Sequence, residues 1–141
     1  MTRTLLSGSA GFIGGYVAQE LLARDHEVIG LDNFSKYGKV RRSYEDHPRF
    51  TQIEGDAKDV RLLEELLEGC DYFIAGAAMI GGITYFHTYA YDLIAENERI
   101  IASSLDAAIS AHRKGRLRRT MVVSSSMVFE SATEFPSVEG S

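Results

Sequence analysis

Cysteine is nearly absent: Cys70 is the one thiol in 141 residues. That excludes an internal disulfide and fits a reducing compartment. Its place at the head of Cys70-Asp71-Tyr72-Phe73-Ile74 favours a small buried hydrophobe over a reactive thiol. Also missing is any apolar run near the roughly 20 residues of a membrane-spanning helix. The apolar N-terminus is broken by Ser7, Gly8 and Ser9, so it does not read as a signal peptide. The cytosol is the expected location, without a membrane partner. Positive charge is not in excess either. Fifteen Lys and Arg face 20 Asp and Glu, for a net charge of -5, which argues against a general nucleic-acid binder. The four histidines, His26, His47, His87 and His112, show no metal-ligand spacing, so no metal is expected. There is no internal repeat, low-complexity tract or linker, and residues 1–141 read as one domain.

What the chain does have is concentrated at its start. Thr4 to Ser7 is a short apolar strand. Gly8-Ser9-Ala10-Gly11-Phe12-Ile13-Gly14 follows, and a helical pattern begins at Phe12 with Ile13, Val17, Leu21 and Leu22 on one face. Gly8 suits a tight turn, Gly11 lets backbone approach a phosphate, and Gly14 allows close helix packing. The amides of Phe12 and Ile13 then face an anion at the helix N-terminus. A second strand, Glu27 to Leu31, ends at Asp32. This acid follows Gly14 at close to the ~20-residue offset expected of a carboxylate that binds ribose hydroxyls. A carboxylate there repels a 2′-phosphate, so NAD is favoured over NADP. Lys36, Lys39, Arg41 and Arg42 form a solvated basic face, or one of them reaches a phosphate.

Further strands are expected at Phe50 to Glu54, Asp71 to Ala75 and Leu117 to Ser124. Helices are expected over Phe12 to Arg24, Val60 to Leu67 and Tyr91 to Ala111, with a short helical turn over Val40 to Asp46. Gly76 to Tyr89 reads as a loop rich in glycine and aromatics, and Glu134 to Ser141 as a tail. Alternating strands and helices imply an α/β fold, a doubly wound parallel sheet of about five strands with right-handed crossovers.

With these residues in view, the chain resembles the N-terminal half of the extended short-chain dehydrogenase/reductases, the NAD-dependent epimerases and dehydratases of nucleotide sugars. The matching pieces are Ser7 to Gly14, Leu31-Asp32-Asn33-Phe34, Gly55 to Asp59, Gly76-Ala77-Ala78, Asn97 and Val122 to Phe129. They occur in family order. The resemblance implies NAD bound by Gly8, Gly11, Phe12, Ile13, Gly14, Asp32 and Asn33, with Asp56 and Ala57 beside the adenine. Gly76, Ala77 and Ala78 would line the cofactor's path, and Asn97 would steady the sheet. Ser125 aligns with the family's catalytic hydroxyl and Ser126 is the near alternative, either one acting on the substrate's reacting oxygen. Gly82, Tyr85 and His87 would face a nucleotide-sugar substrate, although His87 equally suits a plain surface loop.

The resemblance also implies a homodimer through the long helix 91–111, whose apolar stripe is Ile94, Ile101, Leu105 and Ala108, widened by Leu93 and Ile100. Departures from the pattern are Ala75 for a histidine, and Phe129 and Glu130 for tyrosine and glycine. The family's tyrosine and lysine, three residues apart on a later helix, do not occur in these 141 residues. No turnover is expected from this stretch by itself. The alternative is a stand-alone, non-catalytic dinucleotide-binding or sensor module. A flavodoxin-like domain without NAD is disfavoured by Asp32.

Overall fold

Strands that must be apolar on both faces arise here because neighbouring residues serve different cores. In β1 (Arg3–Ser7), Leu5 enters one cluster and Leu6 the other. In β2 (Glu27–Asp32), Val28 and Ile29 divide the same way, as do Phe73 and Ile74 of β4 (Tyr72–Ala75). Burial on both sides explains the unbroken apolar runs. With β3 (Phe50–Glu54) and β5 (Arg119–Val122), the strands form one parallel sheet in the order β3-β2-β1-β4-β5. Pairing registers include Leu5 with Ile29 and with Phe73. This computed structural model describes residues 1–129, 133 and 135–138, with backbone alone at 83, 86, 126 and 127.

The helices cover the two faces. On one, α1 (Phe12–Ala23) packs on β1 and β2, and its Ala18 and Leu22 join Leu6, Val28, Tyr44, Phe50 and Ile74. On the other, α2 (Val60–Leu67) packs on a 24-residue helix, Ala90–Arg113. A short helix, α3 (Ile83–Thr88), precedes the long one, which is α4 (Ala90–Arg113). The Asp59 carboxylate caps α2, accepting from the Arg61 and Leu62 amides at 3.0 and 3.1 Å. Such a cap contributes about 1 kcal/mol. Gly69, at φ 82°, follows the helix end in the left-handed region that suits glycine.

Beyond shifts of one or two residues at the ends of other elements, four readings differ from expectation. The stretch read as a loop over 76–89 contains α3, whose Tyr85 ring lies 4.7 Å from that of the C-cap residue Tyr89. Its glycine-rich lead-in masks one helical turn and a half of pattern. The short helical turn expected over 40–46 is a turn confined to 43–46, and its Tyr44 enters the core. Strand five is confined to Arg119–Val122. Leu117 is buried as a plug ahead of it. The stripe on α4 is also redrawn. Ala108 is 5% exposed and belongs to the core, whereas Ile94 is 56% exposed, with Ile101, Leu105 and Ile109 likewise outward. Small residues, Ser103, Ser104, Ala107 and Ala108, form the inward face and let α4 lie close to its neighbours. Of the expected tail, 134 and 139–141 lie outside the described residues, as does Glu130. Among the described residues no helix is long and apolar enough to cross a membrane.

Candidate functional site

The sheet order places a reversal between β1 and β4: the chain winds outward through β2 and β3, then returns to the other side of β1. Ligands of open parallel sheets bind at such a switch point, beyond the carboxyl ends of the strands. The glycine turn lies there. Gly8 has φ 76°, and its amide donates to the Leu31 carbonyl at 2.8 Å. A Cβ on Gly8 would stand 2.8 Å from the Gly76 carbonyl carbon and oxygen. The turns after β1 and β4 therefore touch backbone to backbone. A Cβ on Gly14 would lie 2.0 Å from the Gly8 carbonyl oxygen. Gly14 thus serves the helix's own entry turn, a closer fit than packing on the sheet.

At α1 the N-cap residue is Gly11, with no side-chain cap and no acidic residue in the first turn. The Gly15 amide donates to the Gly11 carbonyl at 3.0 Å. The amides of Phe12, Ile13 and Gly14 precede that bond and so fall among a helix's orphan donors. Their partial positive charge is the physical basis of anion binding at helix N-termini. Contrast α2, where Asp59 already fills that role.

Asp32 ends β2 half-buried. One carboxylate oxygen accepts from the Ala10 amide at 3.0 Å, the other from the Phe34 amide at 2.8 Å. The acid is thereby fixed against the glycine turn. Asn33 beside it accepts from the Ser35 amide at 3.0 Å within its own exposed loop. The turn is braced by side chains distant in sequence, Arg42 among them, expected as part of a solvated basic face or as a phosphate contact. Tyr44 donates its hydroxyl to the Ser9 carbonyl at 3.0 Å, Arg42 donates to the Ala10 carbonyl, and Ser9 donates to Gln52 at 3.0 Å. Separations of 35, 32 and 43 residues put these bonds beyond any local motif.

Asp56 and Ala57 follow β3 at the same edge of the sheet. Asp56 accepts from the Lys58 amide at 2.9 Å, and the Ala57 carbonyl accepts from the Ser103 hydroxyl at 2.6 Å. Lys58 pairs with Glu96 of α4. Its hydrogen bond holds the Glu96 carboxyl below the usual carboxylate range, and the same contact raises Lys58. The Ala77 amide donates to Ser7 Oγ at 3.2 Å, while Ala78 is exposed. Asn97, expected to steady the sheet, instead clamps the loop leaving β4. Its Oδ1 accepts from the Met79 amide and its Nδ2 donates to the Met79 carbonyl, each at 2.9 Å.

Gly82 is the N-cap of α3, and Tyr85 lies against Gly81. His87 is exposed in the last turn of α3. Ser125 is exposed just beyond β5, where its carbonyl accepts from the Val128 amide at 3.2 Å. The Ser126 side chain lies outside what is described. Cys70 is buried, and burial pushes its thiol up to about 11, in keeping with a packing role. Among the described residues no group of three or more His, Cys, Asp or Glu is placed to hold a metal ion. A cavity of about 920 Å³ opens at the opposite end of the sheet, bordered by Met1, Asp71, His112, Arg116 and Arg118, away from the glycine turn and Asp32.

A parallel sheet of this order, with a glycine turn at its switch point and an acid at the neighbouring strand end, defines a doubly wound, Rossmann-type α/β protein. Within that class the chain belongs to the NAD dependent epimerase/dehydratase family, whose model matches residues 4–141. It is 33% identical over 112 residues to a UDP-N-acetyl-alpha-D-glucosaminuronate decarboxylase of Bacillus cytotoxicus, covering 79% of this chain and 34% of that protein. It is 39% identical over 69 residues to UDP-glucuronate 4-epimerase 4 of Arabidopsis thaliana, covering 45% of this chain and 16% of the relative. Among solved structures, DesIV, a dTDP-glucose 4,6-dehydratase from Streptomyces venezuelae crystallised with NAD, superposes with a TM-score of 0.71 at 27% identity. The match covers 84% of this chain and 38% of that one. A UDP-N-acetylglucosamine 4-epimerase from Methanobrevibacter ruminantium gives 0.76 at 25% identity, covering 99% and 43% respectively. The chain thus spans well under half the length of these relatives.

Proposed function

We propose that residues 1–141 form a dinucleotide-binding domain that serves a nucleotide-sugar epimerase or dehydratase, with NAD as its cofactor. The observation that carries this reading is the pairing of an uncapped α1 N-terminus with Asp32 fixed beside it by the Ala10 amide at 3.0 Å. Bound NAD would take up a hydride from a sugar carbon and return it. The chain's own share is binding and orientation. The turn through Gly8, Gly11 and Gly14 and the amides of Phe12 and Ile13 receive the diphosphate. Asp32, with Asn33 on the same rim, accepts from the adenosine ribose hydroxyls. Asp56 and Ala57 border the adenine, held by Ser103 and by the Lys58–Glu96 pair. Gly76, Ala77 and Ala78 leave room for the rest of the cofactor.

Ser125, or Ser126 next to it, hydrogen-bonds the reacting oxygen of the sugar. Gly82, Tyr85 and His87 lie on the substrate side. The outward face of α4, with Ile94, Ile101, Leu105 and Ile109, is offered to a second copy of the protein. A cytosolic location matches the lone buried thiol.

Calorimetric titration with NAD and NADP tests the reading. NAD binds, and NADP binds at least tenfold more weakly, because the Asp32 carboxylate repels a 2′-phosphate. No binding of NAD, or a preference for NADP, contradicts it. No turnover of UDP-, GDP- or dTDP-sugars is expected from these 141 residues, which contain no tyrosine and lysine three residues apart.

A further inference from the structure

The loop after β2 carries four cations, Lys36, Lys39, Arg41 and Arg42, and the structure divides them. Lys39 pairs with Glu54 at 2.6 Å and Arg41 with Asp46 at 2.5 Å. Arg42 is taken up by the Ala10 carbonyl. Lys36 is exposed and, among the described residues, meets no carboxylate. Its ammonium donates to the Ile80 carbonyl at 3.0 Å, 44 residues away in the loop after β4. In the sheet, β1 sits between β2 and β4. The Lys36–Ile80 bond therefore joins the two loops that flank the glycine turn.

We propose that Lys36 is a phosphate ligand of the bound dinucleotide. Its ammonium exchanges the Ile80 carbonyl for a diphosphate oxygen, and this proposal rests on the dinucleotide reading above. The exchange is favourable in kind. The ammonium keeps a hydrogen bond, and replacing a neutral carbonyl by an anion adds Coulomb attraction between two full charges. A lysine suits the task, since its compact charge on a flexible stem can cross between partners without a fixed fork geometry. The turn's amides supply partial charges only, and of the four cations in the loop after β2 Lys36 is the one that, among the described residues, is matched neither by a carboxylate nor by a carbonyl of the turn itself.

The test is binding of ADP and of adenosine to the wild type and to Lys36→Ala, by calorimetry at two salt concentrations. Lys36→Ala is expected to weaken ADP about tenfold, leave adenosine unchanged, and flatten the salt dependence of ADP binding, because an exposed ion pair is screened. Lys36→Arg restores most of the loss, and Lys39→Ala changes neither ligand. If Lys36→Ala binds ADP as tightly as wild type, or weakens adenosine equally, Lys36 is not a phosphate ligand while the dinucleotide reading stands. If wild type binds neither ligand, both fall.

Discussion

Gly14→Ala destabilises the protein by at least about 3 kcal/mol, within the range of mutations that force backbone strain, and lowers Tm by roughly 10 °C. The reason is local and rigid. The added methyl would stand 2.0 Å from the Gly8 carbonyl oxygen and 2.8 Å from its carbon. Both are backbone atoms of a turn that cannot yield, because the Gly8 amide is bonded to Leu31 and Gly8 itself abuts Gly76. The next residue supplies the control. A methyl at Gly15 meets only the Tyr44 side chain, its hydroxyl at 3.4 Å and its Cε1 at 4.0 Å, ordinary contacts. Alanine also favours helix over glycine by up to about 1 kcal/mol. Gly15→Ala should therefore leave stability unchanged or raise it. Thermal unfolding of the two variants side by side checks this, and equal stability would remove the close-fitting turn from the account.

Asp32→Ala weakens NAD binding by roughly 30- to 150-fold, the equivalent of about 2–3 kcal/mol for hydrogen bonds to a charged acceptor. Two effects combine. The ribose hydroxyls lose their acceptor, and the Ala10 and Phe34 amides lose theirs, so the rim of the turn is less well fixed. Asp32→Asn keeps one carbonyl oxygen and the shape, and falls between. Removing the carboxylate also removes its repulsion of a 2′-phosphate, so the NAD-to-NADP preference narrows in both variants. Calorimetry with each nucleotide, alongside a melting curve that verifies folding, measures it. Undiminished NAD affinity in a folded Asp32→Ala protein would take the ribose role away from this residue.

What could be read from the sequence was what short spacings encode. Gly8, Gly11 and Gly14 sit between a strand and a helix, and Asp32 closes the next strand, so turn and acid follow from periodicity and offset. The alternation of elements carries the parallel sheet in the same way. Contacts set by tertiary packing were not legible. Nothing near Arg42 or Tyr44 in the chain points to the Ser9 and Ala10 carbonyls they hold, because the partners meet only when the segment before β3 folds over α1. Asn97 was visible as a polar residue inside a helix, but its partner, the Met79 backbone, depends on where α4 lies relative to β4. The short helix α3 was hidden because its glycine lead-in reads as loop. On α4, spacing alone grouped Ala108 with the outward isoleucines. A helix presents several stripes, and only the neighbours α2 and β4 decide which is buried.

Titration of the isotopically labelled protein with NAD, followed by amide NMR, reaches the central claim most directly. Binding in the crook between turn and strand end shifts the amides of Gly11, Phe12 and Ile13 together with those of Ala10 and Phe34, which the Asp32 carboxylate accepts from. Shifts confined to residues around the far cavity, such as His112 and Arg116, or no shifts at saturating NAD, would contradict it.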